Sequence, residues 1–234
     1  MSGTLLQICT DAMEGVQDVA VPVTIIGNTS PTAKLLKSCA QDIGRFLERS
    51  YSWQALKVEY SFATSEGVTG YDLPEAMRRF ANMTVWSETD EWPLVQVPDS
   101  DWRVLQSGGV ISNLPFRFSV FANRINLHPA PGSTSYTIKF DYYSKYFSED
   151  ENGTAQDRWA ADTDVSRLDD NLMVLGIRYK YLERNGLPFD EDKASFIEAM
   201  DSLYADDRPR EMIALGRGPL KRPAINVPDS NWSV

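Results

Sequence analysis

The period of the apolar residues changes twice along this chain, and that change limits the fold more than any motif does. Near both ends apolar side chains recur every three or four residues, as one face of a helix requires. From about residue 56 to 147 they alternate with polar ones, as a strand with one wet face requires. Such a chain is α+β: a helical bundle drawn from both ends, a central antiparallel β section and an extended C-terminal arm.

Residues 4–16 set Leu5, Ile8, Cys9, Ala12, Met13 and Val16 on one helical face, with Gly15 at its fraying end. Ser30 as N-cap and Pro31 at the first helical position open a second helix over 31–51, whose expected buried stripe is Ala33, Leu36, Cys39, Ala40, Ile43, Phe46 and Leu47. The β section, 56–147, is punctuated by Gly67, Gly70, Pro93, Gly108, Gly109, Pro129 and Pro131. Within it Phe116, Phe118 and Val120 alternate with Arg117 and Ser119, and Ile125 and Leu127 supply a short strand. Tyr136, Ile138, Phe140 and Tyr142 alternate with Thr137, Lys139 and Asp141. Asp99 or Ser100 is expected to cap a brief helix through Asp101 to Gln106. Residues 148–164, polar apart from Trp159, read as an exposed loop.

Two helices follow, 167–185 and 191–205. The first carries Leu168, Leu172, Leu175, Tyr179 and Leu182 and stops at Gly186 with Pro188 beyond; the second carries Ala194, Ile197, Met200, Leu203 and Tyr204. So short a connection predicts an antiparallel hairpin.

The last stretch, 216–234, fits neither period. Pro219, Pro223 and Pro228 preset its backbone, and Leu220, Ile225, Val227 and Trp232 are spaced along it as anchors. That is the chemistry of a docking arm; a frayed terminus is the alternative, and Trp232 favours docking. The arm carries Arg217, Lys221 and Arg222 against Asp229, a net +2. The whole chain is −10, so the rest is −12. A basic arm on an acidic body either meets an acidic partner or keeps itself soluble. The sequence VPDSDW at 97–102 returns as VPDSNW at 227–232, which reads as chance likeness between two capped turns; the sharper alternative is that the terminal copy fills, on another molecule, a pocket like that of Trp102.

With 42% apolar and 11% aromatic residues, 234 residues can build a sizeable core. The acidic balance argues against a surface that grips nucleic acid, although DNA could slide past it. Cys9 and Cys39 fall on apolar stripes, where free thiols behave as small hydrophobes. No signal peptide and no apolar run long enough to span a bilayer is evident, so a cytosolic origin without membrane contact is expected.

The chemistry of catalysis is sparse. His128 is the single histidine, and no Cys pair at short spacing accompanies it, so the usual zinc sites and Ser-His-Asp or Cys-His triads lack members. Neither phosphate-binding glycine loop occurs. The acidic clusters 149–151, 190–192 and 206–207 sit in loops or at helix ends, where solvation and helix-dipole roles suffice. No catalytic, metal or cofactor residue is expected.

The ordered features LLQICTDAMEGV from Leu5, GNTSPTAKLL from Gly27, YSWQALKVEYSF around Trp53, YDLP from Tyr71, NLHPAP from Asn126 and DDNLMVLGIRYKYLERNGLPF from Asp169 resemble the tail-adaptor, or head-to-tail connector, proteins of short-tailed bacteriophages. Trp53 and Tyr71 are expected where the helical and β parts meet. The resemblance implies a dodecameric ring beneath the portal vertex, a body over 1–215 as one adaptor domain, and 216–234 as the arm that reaches the portal. On this sequence the portal contacts would be Leu220, Lys221, Arg222, Pro223, Ile225, Val227 and Trp232. The β section would meet the tail nozzle or tube, the genome would pass through without specific binding, and the protein would sit in the virion neck after assembly in the host cytoplasm. Two other readings remain: a tail-associated peptidoglycan-cleaving enzyme, and a tail terminator or completion protein of a long-tailed phage.

Overall fold

A computed structural model describes residues 3–16, 21–81, 84–108 and 117–207; Phe116 and the arm 216–234 lie outside them. Helix α1 (Leu5–Met13) starts at Thr4, whose hydroxyl accepts from Gln7 N while the Gln7 side chain accepts from Thr4 N, a reciprocal cap. Helix α2 (Pro31–Ser50) starts as its sequence requires, with Ser30 Oγ accepting from Ala33 N at 3.2 Å and Pro31 at the first position. A single 3₁₀ turn at Gln54–Leu56 then delivers the chain to the β section.

There β1 (Lys57–Ala63), β2 (Gly70–Asp72), β3 (Met77–Phe80), β4 (Trp86–Ser87), β5 (Trp92–Pro93) and β6 (Val95–Gln96) precede helix α3 (Asp99–Gln106). Strands β7 (Arg117–Phe121), β8 (Arg124–His128) and β9 (Thr137–Ser144) follow. One sheet runs β1-β9-β4-β5, with β3 also paired to β9; a second runs β2-β8-β7-β6. They face each other across one core, in which Phe118, Ile125 and Leu127 of the second sheet meet Ile138, Phe140 and Tyr142 of the first. The alternation read for β9 holds along its length. Among the described residues pairing is antiparallel with one exception: β6 runs parallel to β7, Val95 beside Arg117. The connection between them contains α3, the crossover a parallel pair needs.

That helix also corrects two expectations. Ser119, read as a wet position, is 2% exposed, and its hydroxyl lies 3.4 Å from Asp99 Oδ1, because α3 covers the outer face of β7. The N-cap of α3 is Pro98, with no side-chain cap; Asp99 is already helical and supplies charge to the first turn.

Beyond β9 the chain returns to the helices through β10 (Ser148–Glu149), β11 (Ala155–Gln156) and β12 (Val165–Ser166), a small three-stranded sheet ordered β11-β10-β12. The exposed loop expected at 148–164 is therefore anchored. Trp159 is 1% exposed within the helical core, and the Asp162 carboxylate accepts from Ile25 N and from Ile26 N at 2.7 Å. Local polarity concealed this, since Asp162 and Asp164 serve as backbone acceptors.

Helix α4 (Asp170–Asn185) is capped by Asp169, which accepts from Leu172 N, and ends at Gly186 with φ +68°. Helix α5 (Asp190–Asp207) packs back on it with Glu183 toward Lys193 and Gly176 against Phe196, so the hairpin is antiparallel as expected. Helices α1, α2 and α5 all pack on α4. The single stripe expected on α4 is accordingly too narrow: Met173, Gly176, Ile177 and Tyr181 are buried, while Leu175 and Tyr179 are only partly so. On α5 the buried residue is Phe196, with Ile197 and Ala194 exposed, because only one side of that helix meets α4. Phe46, placed on the α2 stripe, is 48% exposed, its ring centroid 6.3 Å from that of Phe196. Cys9 and Cys39 are free and buried; burial pushes their thiols up to about 12 and about 11.

Candidate functional site

The portal contacts expected at Leu220, Lys221, Arg222, Pro223, Ile225, Val227 and Trp232 lie outside the described residues, as does the second VPDSNW copy. The described part shows how the two halves are joined and which surfaces they leave open.

The joint is built from arginines that reach main-chain carbonyls. Arg78, on β3, donates to the carbonyls of Glu48 and Arg49 in the last turn of α2, where helix carbonyls lack partners of their own. Its Nη1 also lies 3.0 Å from Glu48 Oε1, a charge contact without hydrogen-bond alignment. Burial pushes the Glu48 carboxyl above its ordinary value, and Arg78 and Arg49 pull it back in part. Arg79 donates to Ser52. Arg167 spans the two connections between the halves, donating to Ala55 O on the way into the β section and to Tyr146 O on the way out, and pairs with Glu149 at 3.0 Å. The Phe147 ring lies on Gly44, so closely that a Cβ there would overlap it. Trp53 sits at this joint as expected, its indole N–H donating to Leu47 O at 2.8 Å. Tyr71 does not: it lies within the β part, its ring 4.7 Å from Phe62 and its hydroxyl donating to Val68 O. A turn-forming YDLP element gives no sign of which end of a sheet it occupies.

Among the described residues, acidic side chains that come together have structural partners. A cleft of about 280 Å³ brings Asp169, Asp206 and Asp207 together beside Trp53 and Leu203, but Asp169 is the α4 cap and Asp207 accepts from Gln54 N. Among the described residues no group of three or more His, Cys, Asp or Glu is placed to hold a metal ion. His128 ends β8 with its ring edge-on to Trp102 at 6.1 Å, which is a packing role.

What the β part does offer is exposed apolar surface. Trp86 and Trp92 on the short β4–β5 pair, with Val95 beside them, are each more than a third exposed. Val104 on α3 is also exposed, as is Phe121, which lines with Trp102 and Arg103 a cleft of about 360 Å³. Sequence reading placed no partner-facing role on individual residues here, because a Trp in a strand signals a core as readily as an interface.

The family model for the SU10 adaptor protein matches residues 4–222. The chain belongs to that family. No curated protein matches it. The adaptor match runs through the helical body, the β section and the first part of the arm, so all five α-helices and every strand lie inside it. Membership makes the chain a structural phage adaptor of the virion neck, associated with portal and tail components. Among the described residues no helix is long and apolar enough to cross a membrane.

Proposed function

We propose that this adaptor assembles as a ring, a dodecamer, on the portal vertex, links it to the tail nozzle or tube, and forms part of the conduit for the genome. The supporting observation is the family match over 4–222, which takes in the helical body, the β section and the start of the arm together. In this reading the helical body forms the ring. The exposed Trp86, Trp92, Val95 and Phe121 of the β part face the tail component. Leu220, Ile225, Val227 and Trp232 anchor the arm on the portal, Lys221 and Arg222 steer it toward acidic groups, and Pro223 stiffens it. Assembly takes place in the host cytoplasm before the neck is complete.

Removing Asn226 to Val234 tests this. The shortened chain is expected to keep its helical circular dichroism and to lose co-sedimentation with the portal protein, and Trp232→Ala alone to cost about 2 kcal/mol or more per subunit, multiplied by ring avidity. Undiminished portal binding by the shortened, folded chain would rule out the docking arm.

A further inference from the structure

The outer faces of α2 and α5 carry opposite charge and lie on opposite sides of the helical body. The two helices run parallel, and Phe46 and Phe196 mark where they approach each other. At about 100° per residue, Lys37 and Gln41 stand about 180° and 140° round α2 from Phe46, and Ala194 and Glu198 each about 160° round α5 from Phe196. Arg45 and Asp190, at about 100° and 120°, continue the same two ridges. The ridge of α2 therefore looks away from α5, and that of α5 away from α2. Lys37, Arg45, Asp190 and Glu198 are exposed, and among the described residues none of them makes an ion pair. Gly176 of α4 fixes the levels of the two helices, since a Cβ there would crowd both Ile43 and Phe196. Ile43 and Phe196 are 153 positions apart in sequence, as are Tyr51 and Tyr204, whose rings lie 4.7 Å apart. Lys37 and Asp190, Gln41 and Ala194, and Arg45 and Glu198 are separated by the same number. Each basic residue thus stands level with an acidic one on the far side of the same copy.

Neighbours in a closed ring differ by a rotation alone, about 30° in a ring of twelve, with no rise from one copy to the next. Helices that are parallel within a copy therefore stay near parallel between copies, and groups level within a copy stay level when the helices stand along the ring axis. We propose that α2 of one copy packs parallel on α5 of the next, both along the ring axis, Lys37 opposite Asp190 and Arg45 opposite Glu198. Gln41 then lies over Ala194, whose small side chain lets the backbones approach. Eight residues of helix separate the two ion pairs, about 12 Å, so both fall along one seam. The two faces differ, so each copy offers both and the contact propagates from copy to copy until the ring closes. A basic ridge could instead meet nucleic acid, but the net −12 outside the arm opposes DNA, and the matched levels have no such explanation. The inference deepens the ring reading above and rests on it.

The full-length variant R45C/E198C tests the contact, since Cys9 and Cys39 are buried with their thiols pushed up and do not compete. Its two new thiols face opposite sides of one copy, so any disulfide between them joins copies. Mild oxidation of concentrated protein at low ionic strength should give a ladder of dimers, trimers and longer species on a non-reducing gel, suppressed by high salt. R45C/D190C places the thiols about 12 Å apart along the same seam and should give roughly tenfold less. A mixture of the single variants R45C and E198C should stop at a dimer. In the R45C/E198C background, Lys37→Glu should lower the ladder yield roughly tenfold, and adding Asp190→Lys should restore it. Absence of cross-links, dimers without a ladder, equal yields from R45C/E198C and R45C/D190C, or a duplex-DNA shift abolished by Lys37→Glu without any ladder would each overturn the proposal. Portal co-sedimentation of the same chains reports the adaptor reading separately: portal binding without a ladder removes this contact alone, whereas a ladder without portal binding removes the portal reading.

Discussion

At two glycines of the helical body a missing Cβ is the space a neighbour occupies. At Gly176 of α4 an added Cβ would stand 2.7 Å from Ile43 Cγ2 and 2.9 Å from Phe196 Cε2. On an exposed helix, alanine in place of glycine gains about 1 kcal/mol. Here overpacking reverses the sign, and Gly176→Ala should destabilise by about 1–3 kcal/mol in urea unfolding; a raised midpoint would show that α5 yields freely. Glu48 sets a second expectation at this scale. Its raised pKa means that the folded chain holds that proton more tightly than the unfolded one, so its contribution is present below the ordinary carboxylate value and is lost as pH rises through the folded value. Glu48→Gln does not titrate, so as pH rises above the ordinary carboxylate value its stability should rise relative to the native chain. Denaturant midpoints of both proteins over that rise check it, and a difference moving the other way would mean that the Arg78 pairing outweighs the burial.

At the scale of elements, Asp162 shows how far the chain reaches to hold a connection. Its carboxylate takes the amides of Ile25 and Ile26, more than 130 residues earlier, and so fixes the lead-in to α2. Asp162→Ala would leave two partly buried amides without acceptors and should cost about 2 kcal/mol, whereas an unchanged urea midpoint would mean that water replaces them. Such ties explain which elements could be read from sequence. The caps at Ser30 and Asp169 and the stop at Gly186 are local, and α2, α4 and β9 lie close to their expected bounds. Stripes failed where the partner is remote in sequence: on α4, which three helices enclose, and at Ser119, which α3 covers. The hairpin between β7 and β8 turns on Ala122 and Asn123, both at positive φ, and alanine gives little sign of that conformation. At the joint, Arg78, Arg79 and Arg167 act through carbonyls and hydroxyls whose positions no spacing in the sequence announces.

Over the whole molecule, the acidic balance of the body sets an expectation about nucleic acid. With −12 outside the arm, chain lacking 216–234 should not retard duplex DNA at physiological salt, because few phosphates could be neutralised; a persistent shift in an electrophoretic assay would place a basic track on the body. The course of the chain carries a different consequence. Lys57, the first residue of β1, is paired with Tyr143 near the end of β9, so everything from 58 to 142 leaves the helices and returns within one strand spacing, about 4.8 Å. The β section is thus a detour whose doorway stays the same width however long the detour becomes. Closing the doorway with a short turn should leave the dichroism of the helices in place. Selection could likewise graft a different detour onto the same doorway, giving the adaptor a new β surface while its helical body stays as it is.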